Sequence, residues 1–178
     1  MKLIGLHGKA RSGKDTFARL LNDHEPFTRM SFADPLKLAV AGLFNIPVER
    51  AFSDDKEQVL EHWGLTLRDV LQRFGTEAMR NNFGADFWIE RWAAEYLPRA
   101  ERENVVVTDC RFPNEAQRIR ELGGTIVHIR RAAGGLNGAA AAHASEQVLP
   151  VKRGDIEVYN DHGLDHLSDL AWSVLGQC

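Results

Sequence analysis

Gly8-Lys9-Ala10-Arg11-Ser12-Gly13-Lys14-Asp15-Thr16 follows directly on the apolar run Leu3-Ile4-Gly5-Leu6. The order is a strand, a tight glycine-bearing loop, then a helix start with Phe17, Leu20 and Leu21 on one side. Gly8-x4-Gly13-Lys14 is the spacing of a phosphate-binding P-loop. Gly8 and Gly13 permit backbone angles that a β-carbon would block, and they let N–H groups approach an anion closely. Those N–H groups form a nest, and the positive end of the following helix dipole points at the same place. Lys14 adds a point charge that reaches the β- and γ-phosphates. The loop as a whole (Gly8, Lys9, Arg11, Ser12, Gly13, Lys14, Asp15 and Thr16) is the candidate site for a nucleoside triphosphate.

One position departs from the usual pattern. Ser or Thr normally follows the lysine, its hydroxyl on Mg²⁺. Here Asp15 follows, and Thr16 comes one place later. Asp15 has two open roles: a hard oxygen ligand for Mg²⁺, direct or through water, or a carboxylate favoured at the helix N-terminus.

A chain of 178 residues is expected to form one domain with its own core. An apolar share of 44% and a charged share of 26% are those of an ordinary globular protein. The net charge of −3 supplies no global field for a nucleic-acid polymer. Cys110 and Cys178 are too far apart and too few for a disulfide frame or a zinc site, so reduced thiols in a cytoplasm are expected. No apolar run approaches the roughly 20 residues of a membrane span. The chain opens at once on its first strand, so no secretory signal is expected.

Strands are predicted over residues 3–7, 28–32, 105–109, 125–129 and 156–159. Helices are predicted over 14–22, from Asp34-Pro35 to about Phe44, over 66–82, 86–97, 113–122 and 163–175. Gly75 interrupts the helix over 66–82 and is expected to kink or break it. Residues 45–65 read as irregular, and the cluster Asp54, Asp55, Lys56, Glu57 as a solvated face. Residues 131–144 are rich in Ala and Gly. Strands alternating with helices imply βαβ units and a mostly parallel sheet, with the ligand at the carboxyl ends of the strands.

Val105-Val106-Val107-Thr108-Asp109 delivers a carboxylate to that same edge, the Walker B arrangement, where it can hold Mg²⁺ or its water shell. Capping of the next turn is the alternative for Asp109. Arg111, two residues on, can hold a phosphate bidentately or take part in a surface ion pair.

Several segments now point together: the Gly8–Thr16 loop, SFADPLK at 31–37, LQRFGTEAMR at 71–80, DFWI at 86–89, TDCRFPNEAQRIRELGG at 108–124 and His143-x-Ser145-Glu146. In this order, over about residues 1–147, they resemble the deoxynucleoside monophosphate kinases of bacteriophages. The resemblance implies an α/β, three-layer P-loop NTPase fold of the nucleoside monophosphate kinase type. It implies Mg²⁺-assisted transfer of the ATP γ-phosphoryl group to a deoxynucleoside 5′-monophosphate. Adenylate-kinase-like relatives also place their hydroxyl one residue after the usual position, as Thr16 is here. They carry a helical monophosphate-binding region and a lid, which fall on about 34–97 and 130–147 of this single domain. Members of the viral family can pair, so a homodimer is an expectation of the resemblance, and host cytoplasm its compartment.

Phosphoryl transfer needs cations around spreading negative charge. Lys14, Asp15, Arg111 and Arg131 are the candidate catalytic residues, and Asp15, Thr16 and Asp109 the candidate metal ligands. Lys37, Arg68, Arg80 and Arg111 are candidates for the substrate phosphate, with a solvated helix face the equal alternative for Lys37 and Arg68. Gln72 offers a donor and an acceptor to a base edge. Trp88 is a candidate stacking ring, with a place in the core as its alternative. Arg130 and Arg131 are placed to close over the ATP phosphates. The 143–146 piece reads alternatively as a helix N-cap with a nearby acid. His7 reads as strand packing, and His162-x3-His166 as a solvated face. Two other functions remain open at this point: a phosphomevalonate-kinase-like enzyme, whose acceptor needs no base reader, and a nucleotide-binding module without catalysis.

Overall fold

β1 (Leu3–His7) is buried along its whole length, as its unbroken apolar run demands of a strand covered on both faces. The computed structural model describes residues 1–132 and 148–178. Within them the chain divides into two compact units, Met1–Ser31 with Tyr96–Cys178, and Phe32–Glu95.

In the first unit β1 is the middle strand of a five-stranded sheet. β2 (Thr28–Met30), β5 (Val105–Val107), β6 (Thr125–Arg130) and β7 (Ile156–Tyr159) complete it in the order β2-β5-β1-β6-β7. Every pairing is parallel: Ile4 lies beside Val106 on one side and Thr125 on the other, and Val127 beside Ile156. Helix α1 (Lys14–His24) follows the loop and buries Phe17, Leu20 and Leu21. These pack with Ile4, Leu6, Val127 and Ile129 of the sheet and with Leu167, Ala171 and Val174 of α8 (Leu164–Leu175). Helix α7 (Pro113–Glu121) buries Ile119 close to Gly5 and Gly124. The result is the expected layered α/β architecture with a mostly parallel central sheet flanked by helices.

The second unit holds α2 (Asp34–Leu43), α3 (Val48–Ala51), the antiparallel pair β3 (Val59–Leu60) and β4 (Leu65–Thr66), α4 (Leu67–Gln72), a π-helical segment Arg73–Arg80 and α5 (Asn81–Phe83). Most of α6 (Phe87–Tyr96) belongs here too. Val40, Leu60, Leu67 and Val70 form its core. Residues 45–65 are therefore not wholly irregular: they contain a short helix and a hairpin too brief to show a period. Thr66 and Asp69 cap α4 reciprocally, each side chain taking the other's backbone N–H at 3.1 Å. At Gly75, where a kink or a break is expected, the helix is not broken. The backbone stays helical and widens to π geometry over Arg73–Arg80, and Leu36 fills the space where a Gly75 side chain would stand. Asp34 lies in the first turn of α2, whose N-cap is Ala33.

A buried polar node lies inside the first unit. Asp155, on the approach to β7, has a side chain only 1% exposed. The Arg120 guanidinium grips it with two hydrogen bonds of 2.9 and 2.8 Å, the Lys152 N–H donates at 2.8 Å, and His128 Nε2 stands at 2.9 Å. Burial opposes its ionisation, but these partners together hold the carboxyl at about 2, below its ordinary 3.8. A lowered carboxyl stabilises fully above its unfolded value and loses that contribution as pH falls toward the folded one. Asp155→Asn should therefore lower stability near neutral pH by about 3 kcal/mol. The gap between variant and wild type should close between about pH 4 and pH 2, as read by urea unfolding across that range.

Candidate functional site

Parallel pairing sends the carboxyl ends of all five strands to one edge. Gly8 leaves that edge after β1, Ser31 after β2, Asp109 two residues beyond β5, Arg131 after β6 and Asn160 after β7. The order of strands reverses about β1, and ligands of open α/β sheets bind at such a switch point.

The loop after β1 is shaped for an anion. Gly13 stands at the N-cap of α1 with φ +100°, and Arg11 adopts φ +61°. A β-carbon on Gly8 would lie 2.5 Å from the Ile129 carbonyl oxygen and 2.6 Å from Ser12 Oγ, so no side chain fits there. Lys14 Nζ donates to the Gly8 and Lys9 carbonyls at 2.8 and 2.9 Å, which sets the ammonium across the loop it serves. Among the described residues the buried Ser12 hydroxyl has no hydrogen-bond partner. A cleft of about 390 Å³ opens beside it, lined by Gly8, Lys9, Ser12, Arg130, Arg131 and Tyr159 among others. The structure thus brings the loop, the last residue of β6 (Arg130) and the residue after it (Arg131) to one cavity. The rest of the expected lid, with His143, Ser145 and Glu146, lies outside the described residues.

Other partners of the loop come from far along the chain. Asn160 Nδ2 donates to the Ser12 carbonyl at 2.9 Å, and its N–H bonds the Arg130 carbonyl at 2.8 Å. Arg29 on β2 forms an ion pair with Asp15 at 2.7 Å, and its Nε donates to Thr108 Oγ1 at 3.3 Å. Asp15 sits in the first turn of α1 but makes no N-cap bond, so its observed partner is an arginine. Asp109 accepts a 2.7 Å hydrogen bond from Ser31 Oγ. The buried Glu115 caps the start of α7, its carboxylate taking the N–H groups of Arg111 and Phe112 at 2.8 and 2.9 Å. Burial, with the negative charges of Glu115 and Asp109 near it, pushes the Cys110 thiol well up, so it is no nucleophile. None of Arg29, Ser31, Glu115 or Asn160 carries a motif of its own. Only the SFADPLK and FPNEA segments pointed to two of them.

The family model of deoxynucleotide monophosphate kinases matches residues 48–170. The chain belongs to that family. It is 35% identical to a putative deoxynucleotide monophosphate kinase of Acanthamoeba polyphaga mimivirus, over 93% of this chain and 91% of that protein. It is 23% identical to the deoxynucleotide monophosphate kinase of Enterobacteria phage T4, over 94% of this chain and 95% of the phage protein. The crystal structure of a sugar kinase from Janibacter sp. HTCC2649 aligns over 100% of this chain and 96% of its own, with a TM-score of 0.52 at 16% identity, a likeness of fold. As a family member the chain is a kinase of deoxynucleoside monophosphates.

The remaining candidates lie in the second unit. Lys37 and Arg68 are each half-buried and paired with an acid. Lys37 pairs with Asp34 at 2.9 Å with its ammonium 4.6 Å from the Phe52 ring centre, and Arg68 pairs with Glu57 at 2.5 Å. Arg80 donates to the Ala85 carbonyl at 3.0 Å, and Gln72 is half-buried at the last turn of α4. Trp88 is a core residue, 6% exposed, its indole N–H on the Gly75 carbonyl at 2.9 Å, which is the packing role left open for it. His162 and His166 meet edge to face on the surface at 4.9 Å. Among the described residues no three His, Cys, Asp or Glu side chains gather as a metal cluster, and no helix is long and apolar enough to cross a membrane.

Two glycines separate the space around the loop from ordinary helix propensity. Gly8→Ala must displace the Ile129 carbonyl, so it should lower stability by about 1–3 kcal/mol. Gly42→Ala, on α2 with nothing within 4 Å, should raise stability by about 0.5–1 kcal/mol. Thermal denaturation of the two variants checks the opposite signs.

Proposed function

We propose that this kinase transfers the γ-phosphoryl group of ATP to a deoxynucleoside 5′-monophosphate, with the Gly8–Thr16 loop holding the triphosphate tail. The observation that carries this reading is the loop itself: no room for a side chain at Gly8, an unpartnered Ser12 hydroxyl in the cavity wall, and the Lys14 ammonium fixed across it. A polyphosphate supplies what that cradle lacks, oxygens that accept from N–H, O–H and ammonium donors.

In this proposal Lys14 balances charge on the β- and γ-phosphates, and Arg131, with Arg130, closes on them from the β6 side. Arg111 holds the phosphate in flight or the acceptor phosphate, its backbone set by Glu115. Lys37, Arg68, Gln72 and Arg80 meet the monophosphate and its base, and the second unit is the monophosphate-binding region. Trp88 stiffens that region from within. Asp15, Thr16 and Asp109 offer hard oxygens that suit Mg²⁺, an ion that takes few protein ligands and keeps several waters. Bound there, Mg²⁺ would neutralise charge developing between the β- and γ-phosphates. Asp109 is steadied for that duty by Ser31, and Asp15 by Arg29, whose guanidinium also balances its charge. Pairing of two copies, a further part of the proposal, is read by light scattering.

Steady-state assays with ATP, Mg²⁺ and each of the four common deoxynucleoside monophosphates test the reading. ADP release dependent on at least one acceptor is expected. Lys14→Ala should cut turnover by about 100- to 1,000-fold with an unchanged circular dichroism spectrum. Nucleotide binding without acceptor-dependent ADP release would instead make the chain a binding module.

A further inference from the structure

His7 is the last residue of β1, directly before the loop, and the proposed mechanism does not use it. It is 5% exposed and is one of the residues lining the same cleft. Nδ1 lies 3.0 Å from the Cys110 carbonyl oxygen, and Nε2 accepts the Leu149 N–H at 3.2 Å. A carbonyl only accepts and an amide N–H only donates. The two partners therefore fix one neutral tautomer, with the proton on Nδ1. The His128 ring meets it edge-on at 5.2 Å and is itself steadied by Asp155.

The bonded carbonyl belongs to the residue between Asp109 and Arg111. That short turn is held at three other points: the Asp109 carboxylate by Ser31, and the N–H groups of Arg111 and Phe112 by Glu115. The His7 bond fixes the one peptide that joins Cys110 to Arg111, and it fixes it to the strand from which the phosphate loop springs. An apolar side chain at position 7 would fill the same space but leave a buried carbonyl and a buried N–H without partners, a penalty of about 1–3 kcal/mol for each. Packing alone does not ask for imidazole.

We infer that His7 is a positioning residue for phosphoryl transfer, its neutral ring tying the turn that carries Asp109 and Arg111 to the strand that carries the phosphate loop. The inference rests on the functional reading above, and a measurement independent of turnover keeps the two apart.

Asn and Gln each reproduce half of the ring. His7→Asn keeps a donor near Nδ1 for the Cys110 carbonyl, whereas His7→Gln reaches the Nε2 position and serves only Leu149. With ATP and the best acceptor, His7→Gln should lose about 10- to 100-fold in kcat with KM for ATP little changed. His7→Asn should keep kcat near the wild-type value, although its melting temperature falls about as far as that of His7→Gln, since each variant leaves one buried group without its partner. Equal kcat losses in both variants, or melting temperatures that fall while kcat holds in both, would reduce His7 to packing and overturn the inference. Long-range ¹H–¹⁵N spectra of the wild-type chain should show a neutral His7 protonated at Nδ1. An Nε2–H or doubly protonated ring at neutral pH overturns the inference even if neither variant folds. Absence of any turnover in the wild type, with the Nδ1–H tautomer present, faults the kinase reading and leaves the His7 bonds standing.

Discussion

The absence of room for a side chain at Gly8 is the constraint on which the site depends. The backbone there passes against the Ile129 carbonyl and the Ser12 hydroxyl, closer than any β-carbon tolerates. Five residues on, Gly13 lies in the left-handed region at the N-cap of α1. The helix begun there lays Phe17, Leu20 and Leu21 on the sheet.

The same sheet edge gathers the chemistry. Parallel strands deliver Ser31, Asp109, Arg131 and Asn160 to it from stretches up to about 150 residues from the loop. Ser31 bonds Asp109, Arg29 bridges Asp15 and Thr108, and Asn160 bridges Ser12 and Arg130. Exposed ion pairs such as Arg29 with Asp15 add little stability, on the order of 0.2–1 kcal/mol. Their value here is placement of charge beside a loop that is to hold more charge.

Local signals carried the reading of the sequence furthest. The loop, the β-branched strand ending toward Asp109 and the amphipathic helices are each specified by neighbours within a few residues, and each stands where the sequence put it. The 59–66 hairpin and the helix at 48–51 were illegible, because two-residue strands and one-turn helices show no period and form only on a packed unit. Gly75 misled because a glycine in a helix signals a break, whereas this one answers Leu36 across the unit. Arg29 and Asn160 are illegible for a related reason: their roles lie in partners brought near by the fold. Lys37 and Arg68 read as solvated or functional, and the acids that pair with them sit on the same unit.

A crystal structure with a non-hydrolysable ATP analogue and Mg²⁺ addresses the central claim most directly. The account predicts the β- and γ-phosphates within hydrogen-bond reach of the backbone N–H groups of residues 8–16 and of Lys14 Nζ, with the Ser12 hydroxyl engaged. Phosphates bound elsewhere, or a loop left vacant at saturating analogue, would contradict it.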